Sequence, residues 1–344
     1  MQSLSVKAFA KINLSLEVKG KQPDGYHEIE TLLHGIALHD TVELCKTDGG
    51  IQLILDGGAP EMPEGSENLA WQAADLLSRT YPGKTGGVRI RLTKRIPVAA
   101  GLGGGSADAA AVLLGLDRLY DLGLGKPALE GLAARLGSDV AFCLSPLAAV
   151  GRGRGERLEA VTPGISLWIL LVKPPFGLTA REVYGAWRAP DAASADLRHA
   201  DVRQSRLLQG IRDNEPRLVL DNMFNDLEEP AISLEKRLPV YKTWIREEAA
   251  NCSVDSKCRV MLCGSGSTLA VFFTEEQLAL SLAERLMEKR RPFFGGEGGS
   301  GEGDSGGSGG CDDSGVSGSG VDSRPAWIHL TRTTNEADLY NQII

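Results

Sequence analysis

The chain has 344 residues, 42% of them hydrophobic and 24% charged, which suits about two packed units of roughly 150 residues each and excludes wholesale disorder. Its net charge of −8 offers no general field for nucleic acid, whose binding rests on Lys and Arg, and its longest strongly apolar run, residues 165–172 (ISLWILLV), is far shorter than the roughly 18–20 residues that span a bilayer. Neither a nucleic-acid nor a membrane partner is expected. From the N-terminus, MQSLSVKAFAKINLSL has neither the apolar core of a signal peptide nor an Arg/Ser-rich presequence. Ile12, Leu14, Leu16 and Val18 alternate with Lys11, Asn13, Ser15 and Glu17, the period of a half-buried strand that shows Lys11 and Asn13 on its polar side. Further strands are expected at 41–45, 51–55 and 88–92, and helices at 69–79, 107–120 and 129–136. Strands first and helices later read as α+β. The polar stretch 189–217 reads as loop with a short helix. Strands at 167–172, 259–262 and 269–273 with a helix at 276–290 suggest a second sheet with helices on one side. A strand at 326–331 completes that sheet.

Glycine is in excess, at 42 residues, and 13 of these fall in 295–325 together with six acids. Residues 295–323 have almost nothing apolar to bury, so this Gly/Ser/acidic insert is expected to be flexible. Cys45, Cys143, Cys252, Cys258, Cys263 and Cys311 show no C-x-x-C pair and no zinc spacing, and read as reduced thiols.

The most informative segment is 97–111, PVAAGLGGGSADAAA, between a predicted strand and an alanine-rich helix. Gly101, Gly103, Gly104 and Gly105 let backbone approach a ligand closely, and Ser106 stands at the expected N-cap. Free N–H groups and the positive end of the helix dipole make an anion site, with phosphate as the natural guest. A plain glycine turn before a helix is the alternative. A Walker A loop would need a Lys where Ser106 follows Gly105 directly, and a dinucleotide fold would need an early βαβ unit. Two other segments complete a set: AFAKINLSL (8–16), and VMLCGSGSTLAV (260–271), whose Gly264, Ser265 and Gly266 form a second glycine turn. Taken singly, they read as a solvent-face lysine and a hairpin turn.

In this order the three segments resemble the motifs of the galactokinase, homoserine kinase, mevalonate kinase and phosphomevalonate kinase (GHMP) superfamily. KINLSLEV, PDGYHEIETLL, PVAAGLGGGSADAA, LGSDVAFCL, GRGRGERL and MLCGSGSTLAVF are similar, within it, to the 4-diphosphocytidyl-2-C-methyl-D-erythritol kinase family, the likeness running from about residue 6 to 290 and again from about 326 to 340, with the insert outside it. The resemblance implies a two-lobed α+β fold, its N-terminal lobe ribosomal-protein-S5-domain-2-like and its C-terminal lobe ferredoxin-like. The expected division is 1–163 for the ATP-binding lobe, 164–294 for the substrate lobe, 295–323 for the insert, and 324–344 for a final strand and tail. It also implies ATP- and Mg²⁺-dependent phosphorylation of the 2-hydroxyl of the cytidyl substrate, in non-mevalonate isoprenoid synthesis.

The family's catalytic lysine and aspartate fall on Lys11 and Asp139; from the residues alone, Asp139 also reads as a helix N-cap. Pro97, Gly101, Leu102, Gly103, Gly104, Gly105, Ser106 and Ala107 are implied at the phosphates, with Ser106 as the hydroxyl near Mg²⁺. Asn68, Leu69 and Lys94 are implied at adenine. The acceptor is implied to meet Asn13, Tyr26, His27, Thr179, Tyr184, Gly264, Ser265 and Gly266. Arg152 and Arg154 are candidates for its diphosphate, with ordinary solvated arginines as the alternative, and Tyr26-His27 also reads as a turn pair. Rival readings are a homoserine- or mevalonate-type kinase, against which Tyr26-His27 speaks, and a non-catalytic nucleotide-binding module, against which Lys11 with Asp139 speaks. The low-complexity insert and the closing TRTTNEADLYNQ suggest a plastid stroma reached by a longer precursor, with bacterial cytoplasm second. The sequence sets no oligomeric state.

Overall fold

The alternation at residues 11–18 is the middle of a far longer strand: β1 (Ser3–Lys21) pairs antiparallel with β2 (His27–Thr47) along most of its length. The structure, a computed structural model, describes residues 2–56, 62–162, 164–189, 197–289 and 326–343. β3 (Ile51–Asp56), α1 (Leu69–Thr80), β4 (Gly87–Thr93), α2 (Gly104–Tyr120) and α3 (Lys126–Leu136) arise where the periodicity predicts them. α4 (Ser138–Cys143), β5 (Ala148–Gly153) and β6 (Arg157–Ala160) are too short to show a period; α4 is anticipated only by the helix-cap reading of Asp139, and the two strands were not predicted. β2 is longer than the expected 41–45 because it is a central strand: residues 41–47 also pair with β4, and residues 29–34 with β5. Residues 31–36 are buried on both faces, so this middle part of the strand shows no clean alternation.

The remainder runs β7 (Trp168–Lys173), α5 (Ala180–Ala186), α6 (Leu197–Arg212), α7 (Pro216–Asn222), β8 (Phe224–Asn225), α8 (Glu228–Leu234), α9 (Leu238–Asn251), β9 (Cys258–Leu262), β10 (Leu269–Phe273), α10 (Glu276–Glu288), β11 (Trp327–Arg332) and α11 (Glu336–Tyr340). The loop expected at 189–217 is corrected: it holds the 16-residue α6 and the start of α7. Its few apolar residues suffice because Gln204, Leu207 and Ile211 fall on one buried helical stripe. The expected strand at 326–331 is present as β11, which pairs with β7 at the edge of a four-stranded antiparallel sheet in the order β11-β7-β10-β9. The 295–323 insert and Cys311 lie outside the described residues; the other five cysteines are free thiols. No helix among the described residues is long and apolar enough to cross a membrane.

The first sheet has the path β3-β4-β2-β1-β8, with β5 on β2 and β6 on β5. Its core packs Val6, Ile12, Ile36, Leu44 and Ile90 under Ala73, Leu77, Leu113 and Leu116 of α1 and α2. A cut at 163/164 does not separate the packing cleanly. β8, from the second half, pairs parallel with Ser15 and Leu16 of β1, and Leu207, Met223 and Phe272 join the first core. This explains a correction to β1: its polar side does not face water. Lys11, Asn13, Ser15 and Glu17 are all at most 6% exposed. Ser15 donates to Gln204 of α6, and Asp226 accepts from the Val18 N–H.

One buried group makes folding acid-sensitive. His34 of β2 is fully enclosed, its Nδ1 2.9 Å from the Gly35 carbonyl and its Nε2 without a partner among the described residues. Burial pulls its pKa down to about 4 from 6.5, against a smaller upward pull from the Gly35 carbonyl. The unfolded chain therefore binds the extra proton between about pH 6.5 and 4, and stability falls as pH drops through that window, by about 3 kcal/mol from this group. Urea unfolding at pH 7 and pH 4.5 is expected to show a smaller loss in His34→Gln than in the wild type. Equal losses would remove His34 as the cause.

Candidate active site

The loop between β4 and α2 ends in left-handed backbone, with Gly101 at φ 75 and Gly103 at φ 72. A Cβ on Gly101 would lie 2.0 Å from the Cys263 carbonyl oxygen, and one on Gly103 2.9 Å from Lys11 Cγ, so both conformation and space require glycine. α2 starts at Gly104 with Gly103 as its cap. Ser106 is therefore not the N-cap expected from sequence, because the loop ends earlier and Ser106 is the third helical residue. Gly103 has no side chain to bond the first turn, which leaves the N–H groups of Gly104, Gly105 and Ser106 directed at whatever sits beyond the helix end. Leu102 and Ala107 are buried and anchor the loop at either side.

Lys11 lies against this loop. Its backbone N–H donates to the Leu102 carbonyl at 2.9 Å. Its ammonium stands 3.3 Å from Asp139 Oδ2 and donates to Asn13 Oδ1 at 3.0 Å. The helix-cap reading of Asp139 is corrected, since Gly137 caps α4 and Asp139 lies within the first turn. The Lys11 side chain is 7% exposed and that of Asp139 34%, so a nearly enclosed cation adjoins an accessible carboxylate. The second glycine turn closes the other side: a Cβ on Gly264 would lie 3.4 Å from Lys11 Nζ and 3.3 Å from Asn13 Oδ1. The Gly266 N–H donates to the Cys263 carbonyl at 2.8 Å, closing the turn around Ser265. Asn225 of β8 fixes this turn by donating to the Leu262 and Gly264 carbonyls at 2.9 and 2.8 Å. No motif singles Asn225 out, and only the parallel β1–β8 pairing brings it here.

His27 opens β2, so the turn-pair reading holds only for Tyr26. Its ring stacks on Tyr184 of α5, centroids 5.4 Å apart, and meets Trp187 edge-on at 5.6 Å. Trp187, three residues after Tyr184 and thus on the same side of the helix end, was missed from sequence. Thr179 caps α5 in a capping box with Glu182, which sets the direction in which Tyr184 leaves the helix. Burial first and the Asp139 charge second push the Tyr184 phenol well up, which links the aromatic cluster to the carboxylate electrostatically. Burial and then Lys21 pull His27 below its usual pKa, so at pH 7 it is a neutral ring with one donor and one acceptor. Tyr26 is exposed, with the Arg154 guanidinium 4.6 Å above its ring. Arg152 is engaged by Glu30 at 3.1 Å and Glu159 at 2.8 Å.

Behind the loop, the side chains of two adenine candidates are engaged within the protein. The Lys94 ammonium is buried between Asp40 and Asp108, 2.5 Å from each, and its side chain is not presented to a ligand. Asn68 caps α1 by accepting from the Ala70 N–H at 2.9 Å and donates to the Pro63 carbonyl at 3.0 Å. Leu69 does reach the loop, 3.6 Å from where a Cβ on Gly105 would be. Pro97 lines a cleft of about 250 Å³ with Val98, Phe176 and Trp327.

Among the described residues, no group of three His, Cys, Asp or Glu gathers as a metal site. The Ser106 hydroxyl is an oxygen donor in the first turn of α2. Such a donor fits Mg²⁺, which keeps several waters and binds through one or two protein oxygens plus substrate phosphates.

The GHMP kinases N terminal domain matches residues 68–146, the segment that holds the glycine loop, α2 and Asp139. A 4-diphosphocytidyl-2-C-methyl-D-erythritol kinase of Moorella thermoacetica is 39% identical over 288 residues, covering 84% of this chain and 96% of the relative. One from Synechocystis sp. is 42% identical over 239 residues, covering 66% and 76%. A crystal structure of a 4-(cytidine 5'-diphospho)-2C-methyl-D-erythritol kinase superimposes with a TM-score of 0.65 at 33% identity, over 83% of this chain and 95% of that one. The two-sheet α+β architecture is thus the GHMP kinase fold, and the chain belongs to the 4-diphosphocytidyl-2-C-methyl-D-erythritol kinase family.

Proposed function

We infer that the protein transfers the γ-phosphoryl group of ATP to the 2-hydroxyl of 4-diphosphocytidyl-2-C-methyl-D-erythritol, a step of non-mevalonate isoprenoid precursor synthesis. The chemistry rests on one observation, the Lys11–Asp139 pair beside the uncapped start of α2; the relatives' names carry the acceptor. In this reading the N–H groups of Gly104, Gly105 and Ser106 hold phosphate oxygens of ATP. The Asp139 carboxylate orients the attacking hydroxyl and takes its proton as the new O–P bond forms and the bond to the ADP oxygen breaks. The Lys11 ammonium meets charge building on the transferred group. Ser106 would help hold Mg²⁺, which would supply neutralisation of phosphate charge. Leu69 and Pro97 flank the nucleotide, while Asn13 and Gly264–Gly266 form the wall toward the acceptor. His27, Tyr184 and Tyr26 receive cytosine by stacking and by the neutral imidazole's donor and acceptor.

ADP release measured with the cytidyl acceptor, homoserine and mevalonate tests this directly. Turnover of either small acceptor but not the cytidyl one would overturn the substrate assignment. Tyr184→Ala is expected to raise KM for the acceptor about tenfold or more, since aromatic stacking contributes roughly 1–3 kcal/mol per base, with KM for ATP unchanged. An equal rise in both would place Tyr184 outside an acceptor-specific site. For compartment, a plastid rests only on the composition of 295–323 and the closing segment, and the relatives named above are bacterial.

A further inference from the structure

A chain of buried hydrogen bonds leads away from Lys11, and its direction is fixed at a residue that lies inside PDGYHEIETLL but to which the resemblance gives no role. Lys11 Nζ donates to Asn13 Oδ1 at 3.0 Å, Asn13 Nδ2 donates to Thr31 Oγ1 at 2.7 Å, and Thr31 Oγ1 donates to the Ser15 carbonyl at 2.6 Å. Thr31 is 1% exposed, so water does not compete for these groups. The register between β1 and β2 shifts between Asn13 and Ser15; such an irregularity re-aims side chains and here brings Thr31 within reach of both residues.

The polarity follows from counting protons. A threonine hydroxyl has one, and that of Thr31 is committed to the Ser15 carbonyl. Its oxygen therefore offers only lone pairs to Asn13. The Asn13 amide must turn its NH₂ to Thr31 and its oxygen to Lys11. With the amide reversed, its NH₂ would face an ammonium that can only donate, and its oxygen would face a hydroxyl whose proton is engaged elsewhere. Both contacts would be lost inside a dry site, where unpaired polar groups are costly.

We propose that Thr31 is a positioning residue for phosphoryl transfer: by setting the orientation of the Asn13 amide, it holds the Lys11 ammonium beside Asp139. The proposal rests on the kinase reading above. It places Thr31 outside contact with either substrate, so its effect passes through Lys11 and appears in kcat and not in KM for ATP.

The test is steady-state ADP release with the cytidyl acceptor for Thr31→Val, which keeps the shape and removes the hydroxyl, and for Thr31→Ser, which keeps the hydroxyl. Thr31→Val is expected to lower kcat about 10- to 100-fold with KM for ATP within about twofold, while Thr31→Ser stays within about threefold of the wild type. In a Lys11→Ala background, Thr31→Val is expected to cause no further loss, because residues acting as a unit are not additive. A folded Thr31→Val with wild-type kcat, or the same fold-loss with and without Lys11, would overturn the proposal. If Thr31→Val does not fold, Thr31→Cys, with only a weak donor and acceptor, is measured with the same expected signs. Wild-type turnover of the acceptor is the control: if it is absent, the substrate assignment fails by itself, and the Thr31 comparison is made on ATP hydrolysis through the same lysine.

Discussion

Asp139→Asn is expected to lower kcat by about a thousandfold while KM for ATP stays within about twofold, because general-base help of this kind contributes 10²–10⁴ in rate. The substitution keeps the side chain's size and its place in the first turn of α4. It removes the carboxylate that, in the proposed reaction, takes the proton of the attacking hydroxyl. Lys11 loses its partner at 3.3 Å but keeps Asn13 at 3.0 Å, so the ammonium is not left stranded. The N–H groups proposed to hold phosphate lie on a different helix and are untouched, so ground-state nucleotide binding should survive. Single-turnover and steady-state assays with a nucleotide-binding measurement separate these effects. A kcat within tenfold of the wild type would remove Asp139 from the reaction, and lost ATP binding would give it a different role.

How much of this site was legible in the sequence depended on what the pattern encodes. Period-two alternation in KINLSLEV placed Lys11 and Asn13 on one face, which the Lys11–Asn13 hydrogen bond bears out, but it could not foresee the register shift before Ser15, nor what covers these residues. α4, α6 and the second glycine turn bury them, and all three arrive from far along the chain. The glycine loop and α2 were legible because conformation and helix start are local properties. The error at Ser106 was also local: a serine after glycines reads as a cap, whereas Gly103 in left-handed backbone has already begun the helix. Likeness to a family gives Lys94 and Asn68 a place at adenine, and what it could not show is that their side-chain donors and acceptors are engaged by Asp40, Asp108 and backbone. Asn225 and Trp187 gave no signal, and Thr31, though inside PDGYHEIETLL, gave none for this role. Each matters through a partner that only the tertiary structure supplies.

The buried group behind the loop carries the second large expectation. Lys94→Met should destabilise the fold by about 3–5 kcal/mol at pH 8, the usual cost of removing one partner from a buried ion pair. Asp40 also accepts from the Arg95 and Ile96 N–H groups at 2.5 and 2.8 Å, so the residues bonded to Lys94 grip the loop's entry and, through Asp108, the first turns of α2. Asp108 Oδ1 has no partner among the described residues. Burial first raises the Asp108 pKa, to about 7 from 3.8, with Lys94 lowering it and Asp40 raising it. A carboxyl that holds its proton in the folded chain and loses it in the unfolded one makes stability fall as pH rises from about 4 through 7. Without Lys94 the main downward pull on Asp108 is gone, and the fall should continue to higher pH. Lys94→Met is therefore expected to lose far less stability at pH 5 than at pH 8, and Asp108→Asn in that background should restore most of the loss at pH 8. At pH 5, where the variant folds, KM for ATP should rise severalfold with little change in acceptor KM, because the loop ends have lost their common anchor. Urea midpoints for the single and double variants at both pH values decide the matter: a pH-independent loss, or no recovery in the double variant, would mean that methionine's shape and not an uncompensated carboxylate is what the core rejects.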